Sequence, residues 1–337
     1  MREIDALLHV YQGGVPGAAV AITGDGATLF RRAYGLANVE SRIAATPATN
    51  YRLASLTKQF TAAAILLLKE DGRLSIDDPV LRWLPTMPPC ADEMVIRHLL
   101  THTSGLLDFE DLIPAGTATP VHDADVLRLL ERENRRHFTP GTEYRYSNSG
   151  YSLLALIVEH ASGEGFAEFL RRRIFLPLGM RTTVAFEEGI SSVADRAFGY
   201  TAGRQSWVRA DQSITSATLG DGGIYSSIED LAKWDAALYG GGLLRPESLH
   251  LAFQPATPTA DPAVQYGFGW RISGDTVWHS GETTGFRNVI VRHLRLRSTV
   301  ILLTNRDHPA PYRTALAIAA AYWPERWESM QHATPPS

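Results

Sequence analysis

Apolar and polar positions along the chain fall into three stretches of different rhythm. Near the start, "PGAAVAIT" and "ATLFRRAYG" predict two strands around a turn at Gly24-Asp25-Gly26, after a short helix within residues 2–12. "SLTKQFTAAAILLLKEDG" then predicts a strong helix, rich in Ala and Leu, with Gly72 where a C-terminal cap belongs. "DDPVLRWLP" predicts a short helix with Asp78 ahead of Pro79 at the first helical position. From about 95 to 180, "DADVLRLLEREN", "SGYSLLALIVEHASG" and "GFAEFLRRRIFLPLGM" carry apolar residues at helical spacing. Residues 181–225 are loop-rich and contain Gly220, Gly222 and Gly223. "SSIEDLAKWDAALYGGG" predicts a helix opened by a Ser227/Asp230 capping box and ended by glycines. Alternation returns in "YGFGWRIS", "TVWHS", "FRNVIVRHL" and "STVILLTN", which read as consecutive strands before a last helix over 310–322.

Strands at both ends with helices between them predict an α/β (α+β) chain. One antiparallel sheet is built from the two termini, flanked by the terminal helices, with a mainly helical region inserted. The expected division is 1–75 and 225–337 for the sheet region and 76–224 for the helical region. They form one domain overall, with a cleft between the two regions.

Composition narrows the function classes. The 337 residues are 45% hydrophobic and 20% charged, with a net charge of −4. This is an ordinary globular balance that suggests neither nucleic acid nor a polyanionic partner. The densest basic run, Arg171-Arg172-Arg173, sits in a helical pattern and reads as a solvated face. The single cysteine, Cys90, excludes an intrachain disulfide and a cysteine-based zinc site, and it reads as incidental. No apolar run has the length of a membrane span, and the first residues do not form a secretory signal. The chain as given is therefore expected to be soluble and cytoplasmic, or periplasmic or secreted if a leader was removed. Oligomeric state is open.

Of the 32 basic residues only Lys58, Lys69 and Lys233 are lysines; the other 29 are arginine. Lys58 stands three residues after Ser55, in "RLASLTKQF". A serine hydroxyl is a poor nucleophile until a neighbouring base takes its proton. With a helix starting near Ser55, Lys58 lies one turn on and on the same face. Lysine can lose its proton in a suitable site, whereas arginine effectively cannot. The helix start adds unpaired N–H groups that favour an oxyanion. The same pattern also fits a Ser55 cap beside a solvated Lys58, and about 0.2 such matches arise by chance in a chain of this composition.

Two further stretches add to the pair: Tyr146-Ser147-Asn148 in "YRYSNSGY" and His279-Ser280-Gly281 in "VWHSGE". Ser-x-x-Lys, Tyr-x-Asn and a basic residue-Ser-Gly, in that order, resemble the penicillin-recognising serine hydrolases. The nearest match is the class C β-lactamase-related branch with its esterases and D-amino-acid peptidases. "VPGAAVAI", "IRHLLTHTSGL", "GDGGIYSSIEDLAKW", "YGFGW" and "ILLTN" extend the resemblance over about 15–305. It implies a β-lactamase/transpeptidase-like fold with Ser55 as the nucleophile that forms an acyl-enzyme. It further implies Lys58 and Tyr146 as shared general base, and Asn148 as partner of Lys58 or the substrate amide. Under the same resemblance His279, Ser280 and Gly281 support substrate, and the backbone N–H groups of Ser55 and Glu282 form the oxyanion hole. The reaction so implied needs no metal or cofactor. Tyrosine serves as a base near neutral pH only beside cations, here Lys58 and a charged His279.

The chain departs from the family pattern at His279, where a lysine is usual. Histidine is shorter and only partly charged near neutral pH, so strong capture of a substrate carboxylate is not expected. Glu282 would repel an anionic substrate if its side chain turned inward. The favoured reading is a serine hydrolase of small esters or amides, esterase-like. The alternatives are a β-lactamase or D,D-peptidase and a catalytically silent scaffold of the same fold. Expected partners are small-molecule ester, amide or peptide substrates, with no nucleic acid and no membrane. His102 and Ser104 mimic a catalytic couple but read as a structural turn. Asp77 and Asp78 read as capping, Tyr144 and Tyr151 as packing. Asn305, Trp270 and Phe286 are candidates to line the cleft or the acyl pocket. No Gly-x-Ser-x-Gly elbow, His-Glu-x-x-His helix or Walker loop occurs.

Overall fold

A computed structural model describes residues 2–323 apart from 241. The two alternating ends of the chain meet in one eight-stranded antiparallel sheet. Its order is Thr257–Pro258, Gln265–Tyr266, Arg271–Ser273, Thr276–Thr283, Phe286–His293, Ser298–Thr304, Ala18–Gly24, Ala27–Tyr34. The first long strand closes on the last one, with Ala18 opposite Thr304 and Gly24 opposite Ser298. Alternation sorts their side chains onto two faces. Ala18, Val20, Ile22, Val289, Val291, Val300 and Leu302 face Ile4, Leu8 and Tyr11 from the chain start and Ala315 and Ile318 from the last helix, Tyr312–Tyr322. Ala19, Ala21, Ile290, Ile301 and Leu303 face the main core, which contains the helix Lys58–Glu70.

That helix is buried from Lys58 to Leu68, which fits its apolar character on every side. It packs on Asn148–Ser162, the other long buried helix. Gly72 ends it in the left-handed conformation, φ 68°.

Several local expectations change. The helix after Pro79 is one turn, Val80–Trp83, and Pro79 itself is the extended residue before it. Asp78 accepts from the Ser75 N–H and pairs with Arg82, and Asp77 pairs with Arg97, so both acids are structural. Ser227 caps its helix by accepting from the Asp230 N–H at 3.2 Å. The Asp230 carboxylate does not close the capping box. It turns to the N–H groups of Thr182 and Thr183 and to Lys233. The helix ends at Gly240, and Gly241 lies outside the described residues. The helix expected over "GFAEFLRRRIFLPLGM" is α-helical over Phe166–Leu170 and changes to a π turn over Arg171–Phe175. There Arg171, Arg172 and Arg173 pair with Glu168, Glu164 and Asp71.

Candidate active site

The short strand Tyr51–Arg52 delivers the chain to a 3-10 turn, Ala54–Thr57, from which Lys58–Glu70 continues. Ser55 thus stands in the 3-10 turn ahead of the α-helix. In 3-10 geometry side chains three residues apart eclipse, so Lys58 lies directly beside Ser55. Ala54 enters the turn at φ 51°, a left-handed conformation that costs an alanine roughly 1–2 kcal/mol.

The buried Lys58 Nζ donates to Ser55 Oγ at 3.0 Å, Asn148 Oδ1 at 2.8 Å and the Asp221 carbonyl at 3.0 Å. Three acceptors match the three N–H bonds of an ammonium. The same arrangement also suits the neutral amine. Two N–H bonds then stay on Asn148 and Asp221, and the lone pair faces the Ser55 hydroxyl. One geometry therefore serves both ends of a proton transfer. Nζ also lies 4.9 Å from the ring centre of Tyr146 and 5.4 Å from that of Tyr151.

Tyr146 and Asn148 are placed by the start of the helix Asn148–Ser162. Ser147 caps it, accepting from the Gly150 N–H. Asn148 Nδ2 donates to Glu110 Oε1 at 2.8 Å, which leaves Oδ1 aimed at Lys58. His102 backs this segment. Its Nδ1 accepts from the Ser147 N–H at 3.1 Å, and its ring stacks on Tyr146 with centres 4.3 Å apart. Burial, with Lys58 second, holds His102 well below the ordinary histidine value, so it is neutral with its proton on Nε2. It is a structural turn residue at φ 58°. Ser104 Oγ is turned to its own loop, where it accepts from the Leu106 N–H.

The surroundings of His279 work against the charged form that the resemblance suggested. The ring is buried. Nδ1 donates to the Ser280 carbonyl at 2.7 Å, and Nε2 receives the Tyr266 hydroxyl at 2.9 Å. Burial first, then the nearby Arg271 and Lys58, push its pKa well below the usual histidine value. Both ring nitrogens of His279 are occupied, and burial favours the neutral ring. Gly281 follows on the same strand, pressed against the residue chain before Ser55: a Cβ there would sit 2.0 Å from the Leu53 carbonyl. Glycine at 281 is thus required by close approach, and it sets Glu282 beside the serine turn. The Glu282 side chain is 56% exposed and 3.4 Å from Arg287, directed to solvent.

Behind Lys58 lie groups that the sequence did not single out. Asp221 contributes its carbonyl, while burial raises its carboxyl pKa against the pull of Lys58 and Arg52. Asp123 accepts from the N–H groups of Leu219 and Gly220, and burial pushes it up to about 7. Burial also raises Glu110. A 240 Å³ cavity lined by Asp123, Leu156, Phe186 and Leu219 lies behind this loop and does not include Ser55. The signal for the loop was its glycine run: a Cβ on Gly220 would meet the Tyr151 carbonyl at 2.2 Å.

Other candidates leave the site. Asn305 is fully buried, bonded to the Gly17 N–H and to the carbonyls of Leu36, Ala37 and Phe198. Trp270 packs on Phe253, and Phe286 on Tyr225, both as core. Tyr151 donates to the Leu100 carbonyl. Cys90 Sγ faces the Glu133 carbonyl, with its pKa raised by burial.

A sheet closed by both chain ends and a serine turn next to a buried lysine define the class of β-lactamase/transpeptidase-like serine hydrolases. The β-lactamase family model matches residues 2–322, and the chain belongs to that family. It is 33% identical over 325 residues to penicillin-binding protein 4* of Bacillus subtilis, covering 91% of this chain and 71% of that protein. It is 32% identical over 324 residues to a D-aminopeptidase of Gluconobacter oxydans, covering 92% of this chain and 60% of that one. The crystal structure of D-amino acid amidase from Ochrobactrum anthropi SV3, complexed with L-phenylalanine amide, superposes with a TM-score of 0.82 at 27% identity. The match covers 95% of this chain and 99% of that one. Among the described residues no helix is long and apolar enough to cross a membrane.

Proposed function

We propose that the chain hydrolyses small esters and amides through an acyl-enzyme on Ser55, in a cleft between a sheet region (1–75 and 225–337) and a helical region (76–224). The observation that carries this is the contact of Lys58 Nζ with Ser55 Oγ, Asn148 Oδ1 and the Asp221 carbonyl. As Ser55 Oγ bonds to the substrate carbonyl carbon, its proton passes to Lys58. The carbonyl oxygen becomes an oxyanion at the N–H groups of Ser55 and Glu282. Tyr146 relays the proton to the departing alcohol or amine as the carbonyl–leaving group bond breaks. Water then cleaves the Ser55 ester by the reverse use of the same groups. Asn148 holds Lys58, and Glu110 holds Asn148. Neutral His279 fixes the strand carrying Ser280 and Gly281.

The neutrality of His279 supports esters and amides over β-lactams, because the third motif supplies no cation for a substrate carboxylate. The D-aminopeptidase and D-amino acid amidase among the relatives support amides of amino acids as well as esters. A D,D-peptidase reading is favoured by the likeness to penicillin-binding protein 4* and to solved structures of penicillin-binding proteins. The test compares p-nitrophenyl acetate, a D-amino-acid anilide and a chromogenic cephalosporin. Turnover of the ester or anilide well above the cephalosporin is expected. Rapid cephalosporin hydrolysis would overturn the preference.

A further inference from the structure

Of the three acceptors around Lys58, Ser55 is the group it serves and Asn148 is fixed by Glu110. The third, the Asp221 carbonyl at 3.0 Å, is a backbone group on a loop and depends on whatever fixes that loop. The Asp221 side chain contributes little, since its buried Oδ1 has no hydrogen-bond partner among the described residues. The two residues before it are gripped from both directions. Asp123 Oδ2 accepts from the Leu219 N–H at 2.8 Å, and Oδ1 accepts from the Gly220 N–H at 3.3 Å. Thr61, three residues past Lys58 on the same helix, donates from Oγ1 to the Gly220 carbonyl at 2.6 Å. Gly220 lies hard against the Tyr151 carbonyl, which a Cβ would meet at 2.2 Å. Asp123 is buried and opens the helix Asp123–Glu131, whose unpaired N–H groups favour a carboxylate in the first turn.

The charged and titratable neighbours of Asp123 come from several elements. The Asp221 carboxyl and the Ser152 hydroxyl of the helix Asn148–Ser162 stand beside it. His122, Glu159, Glu187 and Glu188 line the 240 Å³ cavity that Asp123 also borders. Asp125, on its own helix, is taken by Arg128 and the His122 N–H. We infer that Asp123 is a positioning residue for Lys58, holding the Asp221 carbonyl on the amine through the N–H groups of Leu219 and Gly220. A carboxylate does this with one oxygen for each N–H. A protonated acid or an amide has one full acceptor oxygen and turns a donor toward the second N–H. The grip therefore belongs to the ionised form. Burial raises the pKa of Asp123 to about 7, so the grip tightens as pH rises through that value. This role deepens the acyl-hydrolase reading and rests on it, since Lys58 is the base of that reading.

The test follows acetylation of Ser55 by p-nitrophenyl acetate in wild type and Asp123→Asn, from pH 5 to pH 8. At pH 5 both offer the loop one acceptor oxygen, and the two rates are expected to agree. At pH 8 wild type is expected to be faster by about tenfold, in the maximal acetylation rate with half-saturation little changed. Stability runs the other way, because the raised pKa makes the advantage of wild type largest at low pH. A merely structural Asp123 would lose rate and stability together. A rate ratio constant with pH, or largest at pH 5, overturns the assignment. Asp125→Asn, on the same helix, is expected to match wild type throughout, and an equal loss there also overturns it. Lysine labelled with ¹³C at Cε gives a readout that needs no turnover, since the chain has only Lys58, Lys69 and Lys233. The Lys58 signal, assigned with Lys58→Arg, is expected to move in Asp123→Asn at pH 8 while the other two stay. That result upholds the positioning role even if wild type acetylates no serine, and an unmoved Lys58 signal rejects it. If Asp123→Asn does not fold, wild type decides. The amide signals of Leu219 and Gly220 and the Lys58 signal are expected to share one step near pH 7, and a Lys58 signal without that step rejects the role.

Discussion

At the scale of single residues, the site depends on which groups can change charge. Lys58 meets three acceptors, one of them Ser55. Lys58→Arg keeps a cation but cannot take the serine proton. The expected outcome is a fall in kcat on the order of 10²–10⁴-fold, measured with p-nitrophenyl acetate, while Tm stays near that of wild type. The two buried histidines are expected to be neutral and opposite in tautomer, with the proton on Nδ1 in His279 and on Nε2 in His102. Long-range ¹⁵N–¹H spectra at pH 6 check this, and an imidazolium signal from His279 would contradict it. Asp123 gives a pH dependence of stability. Its folded pKa of about 7 lies above the ordinary value of 3.8. Its contribution is therefore full below the ordinary value and lost as pH rises through about 7. The stability of wild type relative to Asp123→Asn should thus be greater at pH 5 than at pH 8 by urea unfolding; a constant difference would count against it. That Ser55, Lys58, Tyr146 and Asn148 lie together was legible through the order of the three motifs and the resemblance they carry. Asp221 was not, because it offers Lys58 a backbone carbonyl, which every residue possesses. The surroundings of His279 were not legible because they depend on burial and on the Tyr266 hydroxyl, thirteen positions away in sequence.

At the scale of elements, turns and strand contacts do the positioning. Helical periodicity located the segment after Ser55, yet it does not distinguish a 3-10 start from an α start, since both present Lys58 on the serine's side. The strand Thr276–Thr283 reaches the serine turn only because Gly281 has no side chain. Gly281→Ala is expected to displace that strand and depress kcat/KM for all esters alike, measured on esters of different acyl size. The helix Ile228–Gly240 is tied to the sheet by a fully buried ion pair, Arg292 to Asp235 at 2.8 Å. Thr23 and Thr299 also donate to Asp235. Asp235→Ala leaves the guanidinium buried and alone, and should cost about 3–5 kcal/mol of stability, read from denaturant unfolding. No local pattern announces this pair, because its members are 57 residues apart in sequence.

At the scale of the whole molecule, both chain ends are needed to complete the sheet that carries the third motif. The register of Ala18 against Thr304 joins them, and the helix that follows the Ser55 turn, Lys58–Glu70, is buried against the sheet's inner face. The alternating ends and helical middle made this architecture readable in outline. The loops that bring Asp221 to Lys58 and Glu110 to Asn148 were not readable, since their course depends on close approaches such as Gly220 to Tyr151. The central claim is that Ser55 is acylated. The most direct measurement is rapid acid quench of the protein mixed with p-nitrophenyl acetate, followed by intact mass and peptide mapping. The account predicts one acetyl group on Ser55 within the first turnover, absent in Ser55→Ala, which is also inactive. Ester turnover with no adduct, together with full activity in Ser55→Ala, would contradict it.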